Sequence, residues 1–248
     1  MELKIISFNI RGDDDPNGHS IAERAPRLKT FIDECDPDIM GFQEYLPKWE
    51  AYIERDYTDD FEFFVKGRGE NDPEATPILW RKSRFDCIEK GYFWFSDTPD
   101  VPSGGWDKAC NCLRICNWVH LKSKENGKEF LYFNTHYGFG EEFQIKSAAA
   151  LNERAKGKLP AVITGDFNLT MDSAGYGELM KYFKDVNMET VQNLHNTYHG
   201  YKGKTQQKPI DFCFVNDLAK PISYEILNRD FDGKYASDHH GIFAVVEI

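Results

Sequence analysis

The sequence lacks an excess of basic residues, a long apolar run and a leader-like start. Lys and Arg number 30 against 41 Asp and Glu, which gives a formal net charge of −11. Affinity for duplex nucleic acid comes mainly from basic side chains that neutralise phosphates, so this charge argues against tight binding to double-stranded DNA. No apolar run approaches the ~20 residues of a membrane-spanning helix. The chain starts Met1-Glu2-Leu3-Lys4 and enters a strand directly, so we expect a cytoplasmic protein.

The six cysteines lack the spacing of a zinc site. Cys110, Cys112 and Cys116 follow a C-x-C-x3-C pattern without the paired C-x2-C spacing or a matching His or Cys pair. Cys35, Cys87 and Cys213 lie within apolar patterns and are interpreted as small buried hydrophobes. We therefore expect free thiols.

What the sequence does contain is ample material for a core. A chain of 248 residues with 41% hydrophobic and 15% aromatic residues fits one large α/β domain or two small ones. Pro26 suits a first helical position, so the first helix is predicted to begin near it. The loop at 196–209, rich in Lys and Tyr, is either a solvated connection or a surface that faces substrate.

Polar residues follow several apolar runs. The run at 161–164 predicts a buried strand, and Asp166 and Asn168 come directly after it. This is also what an ordinary strand-to-turn junction looks like, because Asp and Asn are common turn formers. The pattern recurs, however, since the runs at 3–8, 39–42 and 129–133 lead to Asn9, Glu44 and His136.

In two late predicted strands the polar residues come before the apolar run instead of after it. Asp211 precedes the run at 212–215, and Asp238 and His239 precede the run at 241–246. If these strands run antiparallel to the earlier ones, all the polar clusters meet at one rim, where α/β sheets bind ligands. The set is rich in carboxylate and amide oxygens, which favours Mg2+ or Mn2+ over zinc, and such ions are usually completed by phosphate oxygens. The pattern thus indicates phosphoester chemistry.

Six motifs together resemble the endonuclease/exonuclease/phosphatase superfamily. They are SFNIR at 7–11, GFQE at 41–44, NTH at 134–136, GDFN at 165–168, PIDFCFV at 209–215 and SDHHG at 237–241, in the family's order. Each motif is weak alone, but six in order across nearly the whole chain are a specific signal. The run at 67–118 resembles a compact bacterial subgroup.

The resemblance implies roles for individual residues. Glu44 is expected to be the main Mg2+ or Mn2+ ligand, with Asn9 beside it and Asp238 helping to hold the ion or a second one. Asp166 is expected to orient and deprotonate the attacking water, and Asn168 to hold that water or the phosphoryl oxygens.

Further roles follow from the same resemblance. His239, paired with Asp211, is expected to stabilise charge on the phosphate. His136, buttressed by Glu74, is expected to contact the phosphate from the other side, and Arg114 to bind it. His199 and His240 are interpreted as surface or packed histidines.

The resemblance also predicts the fold and the activity. We expect a single domain over residues 1–248, folded as a four-layer α/β/β/α sandwich of two mixed, mostly antiparallel sheets. The expected activity is metal-dependent hydrolysis of a phosphoester by a monomer that acts as a phosphodiesterase, nuclease or phosphatase. From the net charge of −11 we expect a small or single-stranded substrate, without tight binding to duplex DNA. The alternative is a catalytically silent binding or scaffold protein on the same fold. After His136 many relatives carry an Asp and a His, whereas this chain has Tyr137-Gly138-Phe139-Gly140, so the leaving-group side is not assigned.

Overall fold

The computed structural model describes residues 1–106, 112–205 and 207–248. The helices are α1 Ile21–Cys35, α2 Glu50–Tyr57, α3 Glu141–Ala155, α4 Ala174–Leu179 and α5 Val186–Thr190, with a 3-10 turn at Pro47–Trp49. The strands are β1 Glu2–Asn9, β2 Ile39–Gln43, β3 Phe61–Phe64, β4 Gly67–Gly69, β5 Asp72–Ala75, β6 Ile78–Arg81, β7 Phe85–Trp94, β8 Ile115–Ser123, β9 Glu129–His136, β10 Ala161–Asp166, β11 Lys184–Asp185, β12 Asp211–Val215, β13 Lys220–Leu227 and β14 Gly241–Glu247. Among the described residues no helix is long and apolar enough to cross a membrane.

Within these ranges the strands form two six-stranded sheets and one short hairpin. The first sheet has the order β13-β14-β1-β2-β6-β3, the second has β11-β12-β10-β9-β8-β7, and the hairpin is β4-β5. The β1–β2 and β9–β10 pairs are parallel, and the other pairs are antiparallel. The prediction of mixed, mostly antiparallel sheets is confirmed.

Alternation along the strands divides the core into three apolar layers. Ile5 of β1 packs in the cluster between the sheets, together with Val119 of β8. Phe8 of β1 points to the other face and joins a cluster that includes Leu28 of α1. The outer face of the second sheet packs against α3 through residues such as Leu151. Because side chains alternate across a strand, each sheet buries both faces, and the predicted α/β/β/α sandwich is confirmed.

A polar bridge joins the two sheets beneath the rim where the predicted site residues lie. The Gln43 amide donates to Asn134 Oδ1 at 2.7 Å and to Ser7 Oγ at 3.0 Å. Asn134 Nδ2 donates to the carbonyl oxygens of Phe42 at 2.7 Å and Pro77 at 2.8 Å. The buried amide N–H groups of Gln43 and Asn134 find these acceptors only when the sheets are correctly aligned, so the bridge fixes the relative position of the strand ends above it.

The first helix begins earlier than the sequence predicts. α1 starts at Ile21 and contains Pro26 within it, so the predicted start near Pro26 was wrong. The Ser20 backbone N–H donates to Glu23 Oε2 at 3.1 Å, and the Ile21 N–H donates to Asp14 Oδ1 at 2.8 Å. These carboxylates satisfy the first N–H groups of the helix, and they set its start in place of the proline.

The cysteines differ in burial more than expected. Cys213 is buried, but Cys35 is half-buried and Cys87 is exposed, so the interpretation of Cys87 as a buried hydrophobe was wrong. Cys87 lies on β7, an edge strand of the second sheet, within a run of exposed residues at 86–90. Cys35, Cys87, Cys116 and Cys213 are free thiols, as predicted. Cys110 lies outside the described residues.

Two histidines form a buried stack beside the N-terminal end of β14. The rings of His199 and His240 are parallel within 28°, with their centroids 4.1 Å apart, and both side chains are buried. Neither ring nitrogen of His199 has a hydrogen-bond partner among the described residues. Burial lowers the pKa of His199 to about 4 and that of His240 to about 3, and the proximity of the other histidines adds to the effect. They are packed histidines.

We expect His199→Phe to stabilise the protein more at pH 5 than at pH 7.5. A histidine with a lowered pKa in the folded state stays neutral there but becomes charged in the unfolded chain below pH ~6.5. Its contribution to stability is therefore lost as the pH falls from about 6.5 towards 4, and phenylalanine removes that loss. The expected difference in the gain in unfolding free energy between the two pH values is ~1–2 kcal/mol, measured by urea unfolding. An equal change at both pH values would contradict the assignment of a neutral, buried His199.

Candidate active site

The polar strand ends meet at one cavity of about 780 Å³ at a rim of the sandwich. Strand register brings them together. Asp166 at the end of β10 pairs with His136 of the parallel β9 and with Asp211 at the start of the antiparallel β12. Among the residues that line the cavity are Glu44, His136, Asp166, Asn168, Asp238 and His239, which were singled out from the sequence for metal binding or catalysis.

Glu44 is held at the cavity by backbone and side-chain contacts from the β1 end. It has a positive φ of 56° directly after β2, which turns its side chain out of the sheet. Its carboxylate accepts from Asn9 Nδ2 at 3.0 Å and from the Gly12 backbone at 3.3 Å, and Arg11 Nη1 lies 3.5 Å away. Burial disfavours its charge, but the Asn9 hydrogen bond and the positive charge of His239 favour it, and the pKa of Glu44 lies below its usual value.

Asn9 links two carboxylates. Its Nδ2 donates to Glu44 Oε1 and to Asp166 Oδ2, each at 3.0 Å, and its Oδ1 accepts from the Arg11 backbone at 3.1 Å. In this orientation the amide oxygen is turned towards Arg11. Asn9 thus organises the carboxylates Glu44 and Asp166 from behind the cavity wall.

The donor set at this end of the cavity fits a hard divalent cation. Burial raises the pKa of Asp238, and the negative charge of Glu44 raises it further. A cation would stabilise two half-buried carboxylates that lie near each other, and oxygen ligands of this kind suit Mg2+ or Mn2+. Glu44 and Asp238 therefore satisfy the chemistry that the sequence predicts for a metal site.

His239 is charged and lies between two aspartates. Asp211 Oδ2 lies 2.9 Å from its Nδ1, and Asp166 Oδ2 lies 3.6 Å from its Nε2. Although burial disfavours the charge, Asp211 and Asp166 outweigh it and raise the pKa of His239 to about 10. Among the described residues Asp166, Asp211 and His239 also have the spacing of a metal cluster, with ligand atoms within 4.8 Å of one another. Because Asp211 is hydrogen-bonded to the imidazolium and Asp166 forms an ion pair with it, the three are better explained as an acid–base group.

His136 is neutral and lies on the side of Asp166 opposite His239. Its Nδ1 lies 3.0 Å from Glu74 Oε1, and its Nε2 lies 3.1 Å from Asn168 Nδ2. Burial, followed by the positive charges of Arg114 and Arg68, lowers the pKa of His136 to about 3 in spite of the nearby Asp166. A neutral ring that donates from Nδ1 to Glu74 leaves Nε2 as the acceptor of the Asn168 amide proton.

Arg68 is a site residue that the sequence analysis missed. It lies on β4, its side chain is buried, and its guanidinium contacts Glu74 Oε1, the same oxygen that faces His136. The Trp94 indole donates to the Arg68 carbonyl at 2.7 Å and holds the hairpin against β7. No motif surrounds Arg68 in the sequence, and only the pairing of β4 with β5 brings it to Glu74.

Asp166 and Asn168 form the centre of the cavity. The Asn168 backbone N–H donates to Asp166 Oδ1 at 2.9 Å, and a positive φ of 47° at Asn168 makes this short turn possible. The strand approaches β9 so closely that a Cβ on Gly165 would lie 2.2 Å from the Thr135 carbonyl oxygen, so only glycine fits. Burial, followed by the charge of Asp211, raises the pKa of Asp166, while the positive charge of His239 opposes this.

The remaining predicted residues also lie at the cavity or directly behind it. Arg114 and Glu74 are in its lining, and Asp211 reaches it through His239. Of the three lysines in the 196–209 loop, Lys208 lines the cavity, whereas Lys202 and Lys204 are not in the lining. The lining includes further side chains that the sequence analysis did not assign, namely Arg11, Phe139, Thr170 and Tyr198.

Solved structures of other proteins share this fold over nearly their whole length. A Bacteroides thetaiotaomicron endonuclease/exonuclease/phosphatase family protein is 28% identical, with a TM-score of 0.92 over 99% of this chain and 95% of that chain. A mannosyl-6-phosphatase from Bacteroides thetaiotaomicron is 29% identical, with a TM-score of 0.88 over 99% of this chain and 100% of that chain. Tyrosyl-DNA phosphodiesterase 2 of Danio rerio, in complex with a single-strand DNA product, is 21% identical, with a TM-score of 0.76 over 100% of this chain and 99% of that chain, a likeness of fold alone.

The sequence profile of the Endonuclease/Exonuclease/phosphatase family matches residues 6–239. That range runs from β1 through every strand end at the cavity to His239. The chain therefore belongs to the endonuclease/exonuclease/phosphatase family.

Proposed function

We propose that this protein is a Mg2+- or Mn2+-dependent phosphoester hydrolase in which water attacks phosphorus in line. The observation that carries the proposal is the position of Asp166 between a charged and a neutral histidine. Asp166 Oδ2 lies 3.6 Å from His239 Nε2 and 3.5 Å from His136 Nε2, in the cavity that Glu44 and Asp238 also line. Family membership and a phosphatase among its relatives support this class of reaction.

Glu44 and Asp238 are the residues that would hold the metal ion. A bound divalent ion supplies positive charge that stabilises the phosphate and the leaving oxygen as negative charge develops there. Asn9 would keep Glu44 and Asp166 at a fixed separation, because its amide donates to both. Arg11 would limit the negative charge of Glu44, since its guanidinium lies 3.5 Å away.

The chain's own acid–base groups would carry the proton transfer. Asp166 would accept a proton from the attacking water, and the Asn168 amide would orient that water or a phosphoryl oxygen. His239, held as an imidazolium by Asp211, would donate to a non-bridging oxygen of the phosphate, where charge accumulates in the transition state. Arg114 would contact the phosphate from the opposite wall, and the neutral His136 would hold the Asn168 amide in position.

The charge of the protein limits the substrate. With a net charge of −11, an extended duplex would face many carboxylates beyond the cavity, so we propose small or single-stranded phosphoesters as substrates. Within that class a monoester of a sugar, a nucleotide and a short oligonucleotide differ only in the group beyond the phosphate.

We expect hydrolysis to require the divalent ion and Glu44. With a panel of small phosphoesters, EDTA should reduce phosphate release to less than about a hundredth of the rate with Mg2+, because the metal supplies several kcal/mol of transition-state stabilisation. Glu44→Gln should weaken Mn2+ binding, measured by electron paramagnetic resonance titration, by about tenfold or more, since even outer partners of a metal ligand are worth that much.

The matched control is Glu50→Gln, at an exposed glutamate of α2 outside the cavity lining. It should bind Mn2+ as the unmodified protein does. Hydrolysis that is unaffected by EDTA, or equal Mn2+ affinity in Glu44→Gln, would refute the metal mechanism. Absence of phosphate release from the whole panel would favour a binding or scaffold protein.

A further inference from the structure

Phe139 differs from the other phenylalanines in its exposure to solvent. Of the 19 in the chain, it alone is exposed, with 50% of its surface accessible, and the other 18 are buried or half-buried. It is also part of the lining of the active-site cavity. An apolar ring that faces solvent inside a polar catalytic cavity loses the stabilisation that burial gives to other phenylalanines, which is typical of a surface that contacts a ligand.

The segment that contains Phe139 is hydrogen-bonded on both sides to residues 166–168. On one side, the Tyr137 backbone N–H donates to the Asp166 carbonyl at 2.8 Å, and Asn168 Nδ2 donates to the Tyr137 carbonyl at 3.0 Å. On the other side, Gln144 of α3 donates to the Asn168 carbonyl at 2.7 Å. Phe139 thus lies in a short segment anchored at both ends to residues 166–168. Its ring is therefore placed relative to the atoms that are proposed to act on phosphorus.

A polar cluster also lines this cavity. Thr170 and Lys208 are both in the lining, and Asp172 joins them, with Oδ1 2.5 Å from Thr170 Oγ1 and Oδ2 2.9 Å from Lys208 Nζ. The cluster offers hydroxyl, ammonium and carboxylate groups. These groups can donate to and accept from several hydroxyls of one ligand.

We propose that Phe139 is the specificity-determining contact for the leaving group, and that the substrate is a sugar phosphate whose ring packs on it. This inference rests on the proposed phosphoester hydrolysis. A pyranose has an apolar C–H face and a rim of hydroxyls, which matches one neutral aromatic ring together with the Thr170, Asp172 and Lys208 cluster. The position of Phe139 supports the assignment, because it follows catalytic His136 in the stretch where the sequence leaves the leaving-group side unassigned.

The test compares three phosphate monoesters that share a primary phosphate. They are a hexose 6-phosphate such as mannose 6-phosphate, glycerol 3-phosphate without a ring, and adenosine 5′-monophosphate. We expect Phe139→Ala to raise KM for the hexose phosphate by about tenfold, equivalent to about 1.4 kcal/mol, with kcat within about twofold, because the contact is made equally in the ground state and the transition state. KM for glycerol 3-phosphate should stay within about twofold, and Phe139→Trp should retain the hexose affinity.

Tyr182→Ala is the matched control, since Tyr182 is an aromatic residue of similar exposure, 48%, outside the cavity lining. It should leave all three KM values unchanged. Equal effects of Phe139→Ala on glycerol and hexose phosphates, or none on either, would overturn the proposal. Stronger dependence on Phe139 for the adenosine ester than for the hexose ester would overturn the assignment to a sugar.

A binding measurement separates this inference from the proposed activity. Calorimetric titration of mannose 6-phosphate into Asp166→Asn protein, with and without Phe139→Ala, needs no turnover. About tenfold weaker binding without the ring supports the contact even if hydrolysis is not observed, and in that case only the proposed activity fails. Equal binding by both proteins would overturn the contact while leaving hydrolysis intact.

Discussion

Asp166→Asn is expected to lower kcat by about 10³-fold or more while the protein remains folded. The carboxylate is the proposed acceptor of the water proton, and a positioned general base contributes about 10²–10⁴-fold. The replacing amide has the same shape but cannot accept that proton at Nδ2. Its Oδ1 can keep the hydrogen bond from the Asn168 backbone, which is 2.9 Å long in this structure. The turn after β10 should therefore survive the change.

The measurement is steady-state hydrolysis with saturating Mg2+, together with thermal unfolding of the same samples. Asp217→Asn is the control, because Asp217 is an exposed aspartate outside the cavity lining that pairs with Lys184. It should leave kcat within about twofold. A kcat for Asp166→Asn within tenfold of the unmodified protein would show that another group accepts the proton.

Much of the site could be predicted because its residues lie at the ends of strongly patterned strands. Apolar runs and turn-forming residues are local signals, and they place Asn9, Glu44, His136 and Asp166 at strand ends without knowledge of the partners. The antiparallel return of β12 and β14 then brings Asp211 and His239 to the same rim. The family motifs add the order of these elements along the chain, and with it the sandwich.

What could not be predicted depends on contacts between distant residues. Gln43 lies 91 residues from Asn134, and Arg68 lies 68 residues from His136, and nothing local in either segment points to the partner. The protonation states of His136 and His239 could not be predicted either. NTH and SDHHG present similar rings, but the burial of His136 between Arg68 and Arg114 keeps it neutral, whereas two aspartates keep His239 charged.

The start of α1 shows another reason why a prediction from the sequence fails. Pro26 is a familiar signal for a first turn, yet Asp14 and Glu23 supply acceptors for N–H groups several residues earlier. These two carboxylates accept from N–H groups that have no partner within the helix. Their effect outweighs the preference of Pro26 for the first turn, and the helix extends back to Ile21. The orientation of the Asn9 amide is likewise decided by three neighbours together, Glu44, Asp166 and the Arg11 backbone.

Asp211→Asn is expected to lower kcat at pH 8 by about 10²–10³-fold and to move the basic limb of the pH profile to lower pH. In the unmodified protein the two aspartates raise the pKa of His239 to about 10, so the imidazolium is present throughout the neutral range and is lost only as the pH rises through that value. Asp211 is the largest of the favourable contributions, and its carboxylate is 2.9 Å from Nδ1. Without it, burial lowers the pKa, and the charge is lost at a lower pH.

The direction in which the pH profile moves shows whether Asp211 sets the charge of His239 or only packs against its ring. Because the variant loses the imidazolium as the pH rises, its kcat/KM relative to the unmodified protein should recover towards pH 5.5 and fall steadily above pH 7, measured from pH 5 to 10 with saturating Mg2+. His239→Gln provides the comparison, since it has no imidazole to protonate and should not recover at low pH. A profile for Asp211→Asn that runs parallel to that of the unmodified protein would mean that Asp211 positions the ring without setting its charge, and the donation from His239 to phosphate would then need another source of its proton.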